Sequence, residues 1–408
     1  MNDTFQPTTV TVQDLGLSQG SGPAPAPRKV RWWIFRLIEA LACLGSRAGE
    51  TRGLVAIRMD GIGDMVLFRR SLDRYAAAFG VDKADIIVLG CHTWGQLADE
   101  VFKDYRVVSI HEHRFHKKIF YRFKIARWIY QQNFKVAVLD SFFRKPLMAD
   151  SLLMASRAEK TVACVPHLSP KTDALFAYSL SRTSQVIETG AYPVHETVRH
   201  YRFLSGVLGR TVVPELVQIP WRDNVPPVPP GKPYVILNFG SNEYGRRWPF
   251  DKYVATAQKL LATGYRVVFC GAINDNDYKA LIKNKFSSTD VIDLIGETTL
   301  PKLMDLIKHA AGMLTNDTGP AHLGIALGTP ILVLVGGGHF GSFVPYPDEV
   351  RPNNAKFLHV EMDCYHCFWG CPKRASDRDS FPCVAAIEED SVWEVLATMI
   401  KPNSFGLS

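Results

Sequence analysis

Twice along this chain, short apolar runs alternate with helical stretches, and a proline-rich hexapeptide separates the two series. That pattern constrains the fold more than any other feature of the sequence. In the first series, residues 54–58, 85–89, 106–110, 135–139 and 161–165 read as strands, with helices at 64–79 and 196–208. In the second, 234–239, 266–270, 291–294, 312–315 and 331–335 read as strands, and 250–263, 277–285, 301–309 and 321–327 as helices. Strands that are apolar throughout belong in parallel sheets covered on both faces. The fold class is therefore α/β, with two doubly wound, Rossmann-like domains facing a cleft. At 408 residues the chain is long for one core and natural for two. The segment Pro226-Pro227-Val228-Pro229-Pro230-Gly231 is the linker. The expected organisation is an N-terminal region 1–52, a first domain 53–225, a second domain 231–390 and a C-terminal helix and tail 391–408. The final helix is expected to pack back on the first domain.

Apolar residues are 47% of the chain and charged residues 21%, an ordinary soluble balance. No stretch reaches the roughly 20 unbroken apolar residues of a membrane span. Residues 1–27 are polar, rich in Pro, Gly, Ser and Thr, and are expected to be disordered. They lack the basic start and apolar core of a signal peptide, so a cytoplasmic location is expected. Residues 28–44 form a helix that is apolar nearly all round, with Arg28, Lys29, Arg31 and Arg36 beside Trp32 and Trp33. Such a helix either lies on an anionic leaflet or packs against its own domain. The net charge of +7 suits anionic partners of several kinds and selects none.

The run Asn316-Asp317-Thr318-Gly319-Pro320-Ala321-His322 carries the most chemistry. It sits where a strand ends and a helix begins, with Pro320 fitted to the first helical turn. Helix N-termini favour phosphate, and an Asp beside one can accept hydrogen bonds from hydroxyls. The turn reads as a site for a sugar phosphate or nucleotide sugar, or else Asp317 or Thr318 simply caps the helix. In the first domain, Gly61-Ile62-Gly63-Asp64 follows the first strand. Gly61 and Gly63 let backbone approach a ligand, and Asp64 either caps the next helix or serves as a general base. Asp60 is the next candidate for that role. In the second domain, Ser241 and the pair Arg246 and Arg247 follow the first strand, and arginine's fork suits a diphosphate. Asp275 lies beyond a glycine turn, where an acid can hold a ribose hydroxyl. Asp-x-Asp at 275–277 and 377–379 is too short a pattern to indicate a metal.

Two further clusters are present. Residues 111–131 are basic and aromatic, so Arg114, Lys117, Lys118 and Arg122 are candidates to face an anionic acceptor, or they form a solvated helix face. Cys364, Cys367, Cys371 and Cys383 have near-ligand spacing, and a structural zinc is one reading of them. Thiol storage or a labile disulfide are the others.

Three motifs, in this order and at matching places in the alternation, resemble those of glycosyltransferase family nine, the ADP-heptose:lipopolysaccharide heptosyltransferases and their relatives. They are Gly61-x-Gly63-Asp64, Arg246-x-Trp248-Pro249 and Asp317-Thr318-Gly319-x-x-His322. The resemblance covers about residues 53–390 and is weak between about 90 and 220. It implies a GT-B fold and a transferase that inverts the sugar's anomeric carbon without a bound metal or other cofactor. It implies that Asp64 is the base and that Asp317, Thr318, Gly319 and His322 bind the donor. The family often has Lys where this chain has Arg246. Its ribose acid falls near Asp275, where Glu is more usual, and Glu297 and Thr298 lie near its adenine site. The expected donor is ADP-heptose, and the expected acceptor an anionic glycan or glycolipid such as the lipopolysaccharide core. The expected partners include the inner-membrane surface but no nucleic acid. Two other classes fit parts of the pattern. A nucleotide-sugar epimerase on the same scaffold would need acid and base on both sides of the sugar. A non-enzymatic membrane or nucleic-acid binding protein would leave two phosphate-type turns unexplained.

Overall fold

The computed structural model describes residues 5–17, 29–47 and 49–400. The chain divides into two compact units, Met1–Glu215 and Leu216–Ser408. This boundary precedes the proline segment. Residues after 215 are bonded into the second unit: Ile219 N–H donates to the Ala326 carbonyl at 2.9 Å, and Trp221 Nε1 donates to Asp305 at 2.7 Å.

The first unit carries β1 (Arg52–Arg58), β2 (Ile86–Cys91), β3 (Arg106–Ile110), β4 (Phe134–Leu139), β5 (Lys160–Cys164) and β6 (Gln185–Ile187). Its helices are α1 (Val30–Ala42), α2 (Ile62–Leu72), α3 (Tyr75–Phe79), α4 (Ala98–Val101), α5 (Glu112–Lys117), α6 (Ile119–Gln131), α7 (Ala149–Ser156), α8 (Asp173–Leu180) and α9 (Glu196–Leu208). The second unit carries β7 (Tyr234–Asn238), β8 (Arg266–Cys270), β9 (Val291–Asp293), β10 (Gly312–Asn316), β11 (Ile331–Leu334) and β12 (Ala355–Leu358). Its helices are α10 (Phe250–Ala262), α11 (Asp277–Lys285), α12 (Leu300–His309), α13 (Gly319–Leu327), α14 (Pro382–Ala385) and α15 (Glu389–Met399).

The first sheet runs β3-β2-β1-β4-β5-β6 and the second β12-β11-β10-β7-β8-β9, and the pairs within both are parallel. Read in their own chain order, the two sheets share one topology. In each, the strand order reverses between the first and fourth strand, where Leu54 pairs with Val136 and Ile236 with Met313. The C-terminal ends of those strands are the switch point at which open parallel sheets place their ligands. The central strands are buried along almost their whole length, which is why they read as unbroken apolar runs. Val55, Ile57, Ala137 and Leu139 form the first core with Ala126, Ile129 and Leu152 from the helices. Val235, Leu237, Leu314 and Leu332 form the second with Tyr253, Ala257 and Leu260.

Three expectations are corrected. Residues 5–17, expected to be disordered, add an antiparallel bridge to the edge of the first sheet: Thr9 pairs with Ile187, and Val10 N–H donates to the Val186 carbonyl at 2.9 Å. Val12 is buried there against Val165, Phe176 and Leu180, an apolar anchor inside a polar segment. Residues 1–4 and 18–28 lie outside the described residues. The C-terminal helix belongs to the second unit's core. Val392 and Leu396 of α15 are fully buried in the second unit, where α15 packs on α10. The long helix expected over 64–79 is broken into α2 and α3 at residues 73–74.

Candidate functional site

In the first unit, β1 ends in Arg58 and the chain turns through Asp60 and Gly61 into α2. Asp64 is the third residue of that helix. Its Oδ2 accepts the Gly61 N–H at 3.1 Å, the half of a capping box that a glycine N-cap allows. Glycine at 61 leaves room for this carboxylate, since a Cβ there would stand 3.2 Å from Asp64 Oδ2. Asp64 therefore does cap its helix. It also remains a carboxylate with no ion pair among the described residues.

Asp60 is spent differently. Its Oδ2 takes Arg58 Nε at 2.8 Å and the Ser141 hydroxyl at 2.9 Å. Arg58 is buried, lies 4.3 Å over the Phe68 ring, and binds Asp140 with its other arm. Asp140 follows β4, across the switch point from Asp60, and also holds His200 Nδ1 at 3.0 Å. Arg58 and His200 together hold the Asp140 carboxyl far below the usual range despite its burial. Burial keeps His200 neutral, opposed by Asp140. The result is an Asp60–Arg58–Asp140–His200 chain beside one carboxyl, Asp64, that pairs with no cation among the described residues. Desolvation first, then the Asp60 charge, push Asp64 up to about 7, against the pull of Arg58. Glu196, at the start of α9, is pushed up to about 8 by burial, opposed by its partner Arg199 at 3.1 Å. Asp140, Glu196, Arg199 and His200 were not singled out from the sequence. Asp140 had a signal, an acid directly after an apolar strand, as at Asp317. The residues within α9 had none.

In the second unit the turns after β7 and β10 meet. Arg246 Nη2 lies 3.1 Å from Asp317 Oδ2, so two residues 71 positions apart become one pair. The Arg246 guanidinium also lies 4.4 Å over the Trp369 ring. Trp369 stacks on Phe381 at 5.5 Å and is held at φ 63°, a left-handed conformation that a bulky residue adopts only under constraint. Trp369 was not anticipated. Asn316, at the end of β10, ties the turns together. It accepts from Trp248 N–H and the Tyr253 hydroxyl, both at 3.1 Å, and donates to the Phe239 carbonyl at 2.7 Å.

Thr318 stands at the N-cap of α13 but makes no side-chain cap, and its hydroxyl donates to the Asn316 carbonyl instead. At the start of α13 Pro320 has no N–H and Ala321 N–H donates to the Thr318 carbonyl at 3.0 Å, which leaves the Gly319 N–H and the positive end of the helix toward the turn. His322 is buried, bonds the Tyr346 hydroxyl at 2.9 Å, and is pushed down to about 4 by desolvation, opposed by Asp317. It is a neutral imidazole at physiological pH. Ser241 Oγ is buried without a hydrogen-bond partner among the described residues, which suits a hydroxyl that faces an anion.

The remaining candidates divide. Arg122 is no acceptor ligand. It is wholly buried between the Phe35 and Phe115 rings and bonds Glu39, Ser151 Oγ and the Leu147 carbonyl. Local periodicity does not reveal a partner 83 residues away. Arg114, Lys117 and Lys118 are exposed, with Arg114 over the Tyr121 ring at 4.8 Å. Asp275 is buried, pairs with Arg247 at 2.8 Å and accepts the Ala272 N–H, so it presents no carboxylate to a ribose in this structure. Glu297 is exposed and paired with Lys279, next to a half-buried Thr298. The four clustered cysteines are free thiols, with Cys383 Sγ accepting the Gly337 N–H. Among the described residues no three His, Cys, Asp or Glu side chains gather as a metal site, so the zinc reading of Cys364, Cys367, Cys371 and Cys383 is set aside.

Residues 218–368 match the family model described as glycosyltransferase family 9 (heptosyltransferase). A lipooligosaccharide heptosyltransferase 2 of Haemophilus influenzae is 30% identical over 99 residues, 23% of this chain and 29% of that protein. The aligned stretch thus spans less than a third of that curated relative. Among solved structures, a family 9 glycosyl transferase from Veillonella parvula superposes with a TM-score of 0.64 at 18% identity, covering 87% of this chain and 99% of that one. The Escherichia coli ADP-heptose lipopolysaccharide heptosyltransferase II superposes with a TM-score of 0.57 at 16% identity, covering 85% and 98%. The fold of the whole chain is that of these structures, two Rossmann-type units of the GT-B class, and its second unit matches the glycosyltransferase family 9 model.

Proposed function

We propose that this chain is an inverting, metal-independent glycosyltransferase that moves heptose from ADP-heptose to the lipopolysaccharide core or a related glycolipid, working at the cytoplasmic face of the inner membrane. The names of its relatives supply the donor and acceptor classes. The observation that carries the chemistry is Asp64. It is the carboxyl at the first sheet's switch point that no cation pairs with among the described residues, and its proton affinity sits near neutrality.

Asp64 takes the proton of an acceptor hydroxyl as that oxygen attacks the anomeric carbon. The new C–O bond forms as the bond to the diphosphate oxygen breaks, on the opposite face of the sugar, and ADP leaves. Such a single displacement inverts the anomeric centre. Arg246, the Gly319 N–H at the positive end of α13 and Ser241 Oγ take up the charge that develops on the diphosphate. Asp317 orients Arg246 and accepts from sugar hydroxyls. Thr318, Gly319 and neutral His322 shape the same turn. Glu297 and Thr298 flank the adenine. The acceptor is bound by residues 53–225, with Arg114, Lys117 and Lys118 available to anionic groups. Incubation with ADP-heptose and a heptose-deficient core glycolipid tests the reading by mass analysis of the glycan and by ADP release. Turnover with other nucleotide sugars but not with ADP-heptose would reassign the donor. Isomerised nucleotide sugar without any acceptor product would make the chain an epimerase.

A further inference from the structure

Helix α1 is apolar on the face it turns outward as well as on the face it buries. Trp32, Phe35, Ile38 and Ala42 pack inward, and Glu39 is neutralised by Arg122. On the other side Val30, Trp33, Ile34, Leu37 and Leu41 are between 44% and 76% exposed, and Leu44 just past the helix is exposed too. Their spacing of three and four places them on one continuous stripe. A scattered exposed leucine needs no explanation, but an unbroken outward stripe does. The corner between α5 and α6 adds Ile119, Phe123 and Phe120, the last 90% exposed. That corner lies by the start of α1, where Arg31 Nη2 donates to the His116 carbonyl at 2.6 Å.

Charge identifies the occupant. Residues 29–47 hold four Lys or Arg against Glu39 alone, and residues 111–131 hold six against Glu112 alone. Lys29, Arg31, Lys117, Lys118 and Lys124 are exposed around the apolar stripe. We propose that α1 and the α5–α6 corner form a docking surface for an anionic lipid leaflet, with the apolar stripe sunk to the acyl boundary and the basic rim at the headgroups. Tryptophan and phenylalanine on the stripe and lysine or arginine beside it suit that boundary. A second copy of the chain would set two basic rims against each other. At 13 residues, about 20 Å long, α1 lies along the interface and does not cross it.

The surface is part of the folded unit. Arg127 Nη1 donates to the Ala42 carbonyl at 3.1 Å, Tyr130 hydroxyl to the Gly45 carbonyl at 2.7 Å, and Arg122 binds Glu39 between these ends. Docking through a clamped helix fixes the orientation of the first unit on the leaflet. The inference rests on the proposed function only in choosing lipid as the surface this protein meets.

The test is co-sedimentation of the full chain with phosphatidylethanolamine–phosphatidylglycerol vesicles and with phosphatidylcholine vesicles, at low and high salt. Wild type is expected on the anionic vesicles alone, weakening with salt. Leu37→Asp and Phe120→Asp are each expected to lower vesicle affinity about tenfold or more, the scale of withdrawing one large apolar side chain. Their thermal melts and ADP affinity should match wild type. Equal binding to neutral vesicles, or wild-type vesicle affinity in both variants, would overturn the proposal. So would a wild-type dimer that Leu37→Asp dissociates. Intact vesicle binding with no transfer from ADP-heptose would sink the catalytic reading and leave this one standing.

Discussion

Asp64→Asn separates the two things Asp64 does in this structure. The amide oxygen of Asn can still accept the Gly61 N–H that Oδ2 takes at 3.1 Å, so the cap on α2 is kept. The negative charge and the basicity are lost. A positioned base contributes on the order of 10²–10⁴ in rate, about 3–5 kcal/mol of barrier, and kcat is expected to fall by that factor. Stability should move the other way. Raising this carboxyl from 3.8 to about 7 means that its ionised form is disfavoured in the folded chain, by on the order of 4 kcal/mol. A raised carboxyl contributes no penalty below its unfolded value, and the penalty grows as pH rises from about 4 to about 7. The variant should therefore melt at or above wild type at pH 8 and level with it near pH 4. The wild-type kcat/KM should fall about tenfold per pH unit below 7, as the base is protonated. Initial-rate assays of ADP release across pH, with melts in the same buffers, measure all three. Near wild-type turnover in Asp64→Asn, or an acid limb at ordinary carboxylate pH, would refute the assignment.

Asp60→Asn removes the neighbouring charge that raises Asp64, so it should shift the acid limb of kcat/KM to lower pH while retaining most turnover at pH 8; loss of turnover comparable to Asp64→Asn would make Asp60 the base. Arg246→Ala should weaken ADP binding by at least ~1.5 kcal/mol, the scale of one charge-assisted hydrogen bond, and unchanged affinity in titration calorimetry would remove Arg246 from the donor site. Turnover is expected to survive EDTA, and full loss restored by magnesium or manganese would contradict the metal-independent reading. Arg122→Ala leaves buried Glu39 with Arg36 as its ion-pair partner and opens a gap between the Phe35 and Phe115 rings, so it should destabilise the fold by about 1–3 kcal/mol, read as a lowered Tm; a normal melt with a raised acceptor KM would restore Arg122 to the acceptor side.

The two sheets were legible because parallel strands buried on both faces leave apolar runs that need no alternation, and twelve of the expected helices and strands agree with the structure to within a residue at each end. What escaped was short or at an edge. β6 has three residues and β12 four, and each gains definition from the neighbour it pairs with. The turn motifs located Asp64, Arg246 and Asp317, because strand-to-helix turns in such sheets stand where ligands bind. The sequence could not say which polar residues would spend their charge on each other. Arg122 and Asp275 look available in the sequence, yet each is buried against a partner brought by the fold, Glu39 in one case and Arg247 in the other.

That same accounting separates Asp60 from Asp64. Both acids follow β1 within a few residues, and no pattern in the sequence ranks them. Arg58 ranks them. It comes from the last position of β1 and is buried, so it must be neutralised, and Asp60 and Asp140 both serve that purpose from the two sides of the switch point. A carboxylate committed to a buried guanidinium is a poor proton acceptor. Asp64, one helical turn further on, is near enough to Asp60 to feel its charge and has no cation of its own among the described residues. The arrangement that stabilises the turn is thus the one that leaves Asp64 basic near neutral pH. His200 supports it from α9: neutral and bonded to Asp140, it fixes that carboxylate without adding a second positive charge that would lower Asp64.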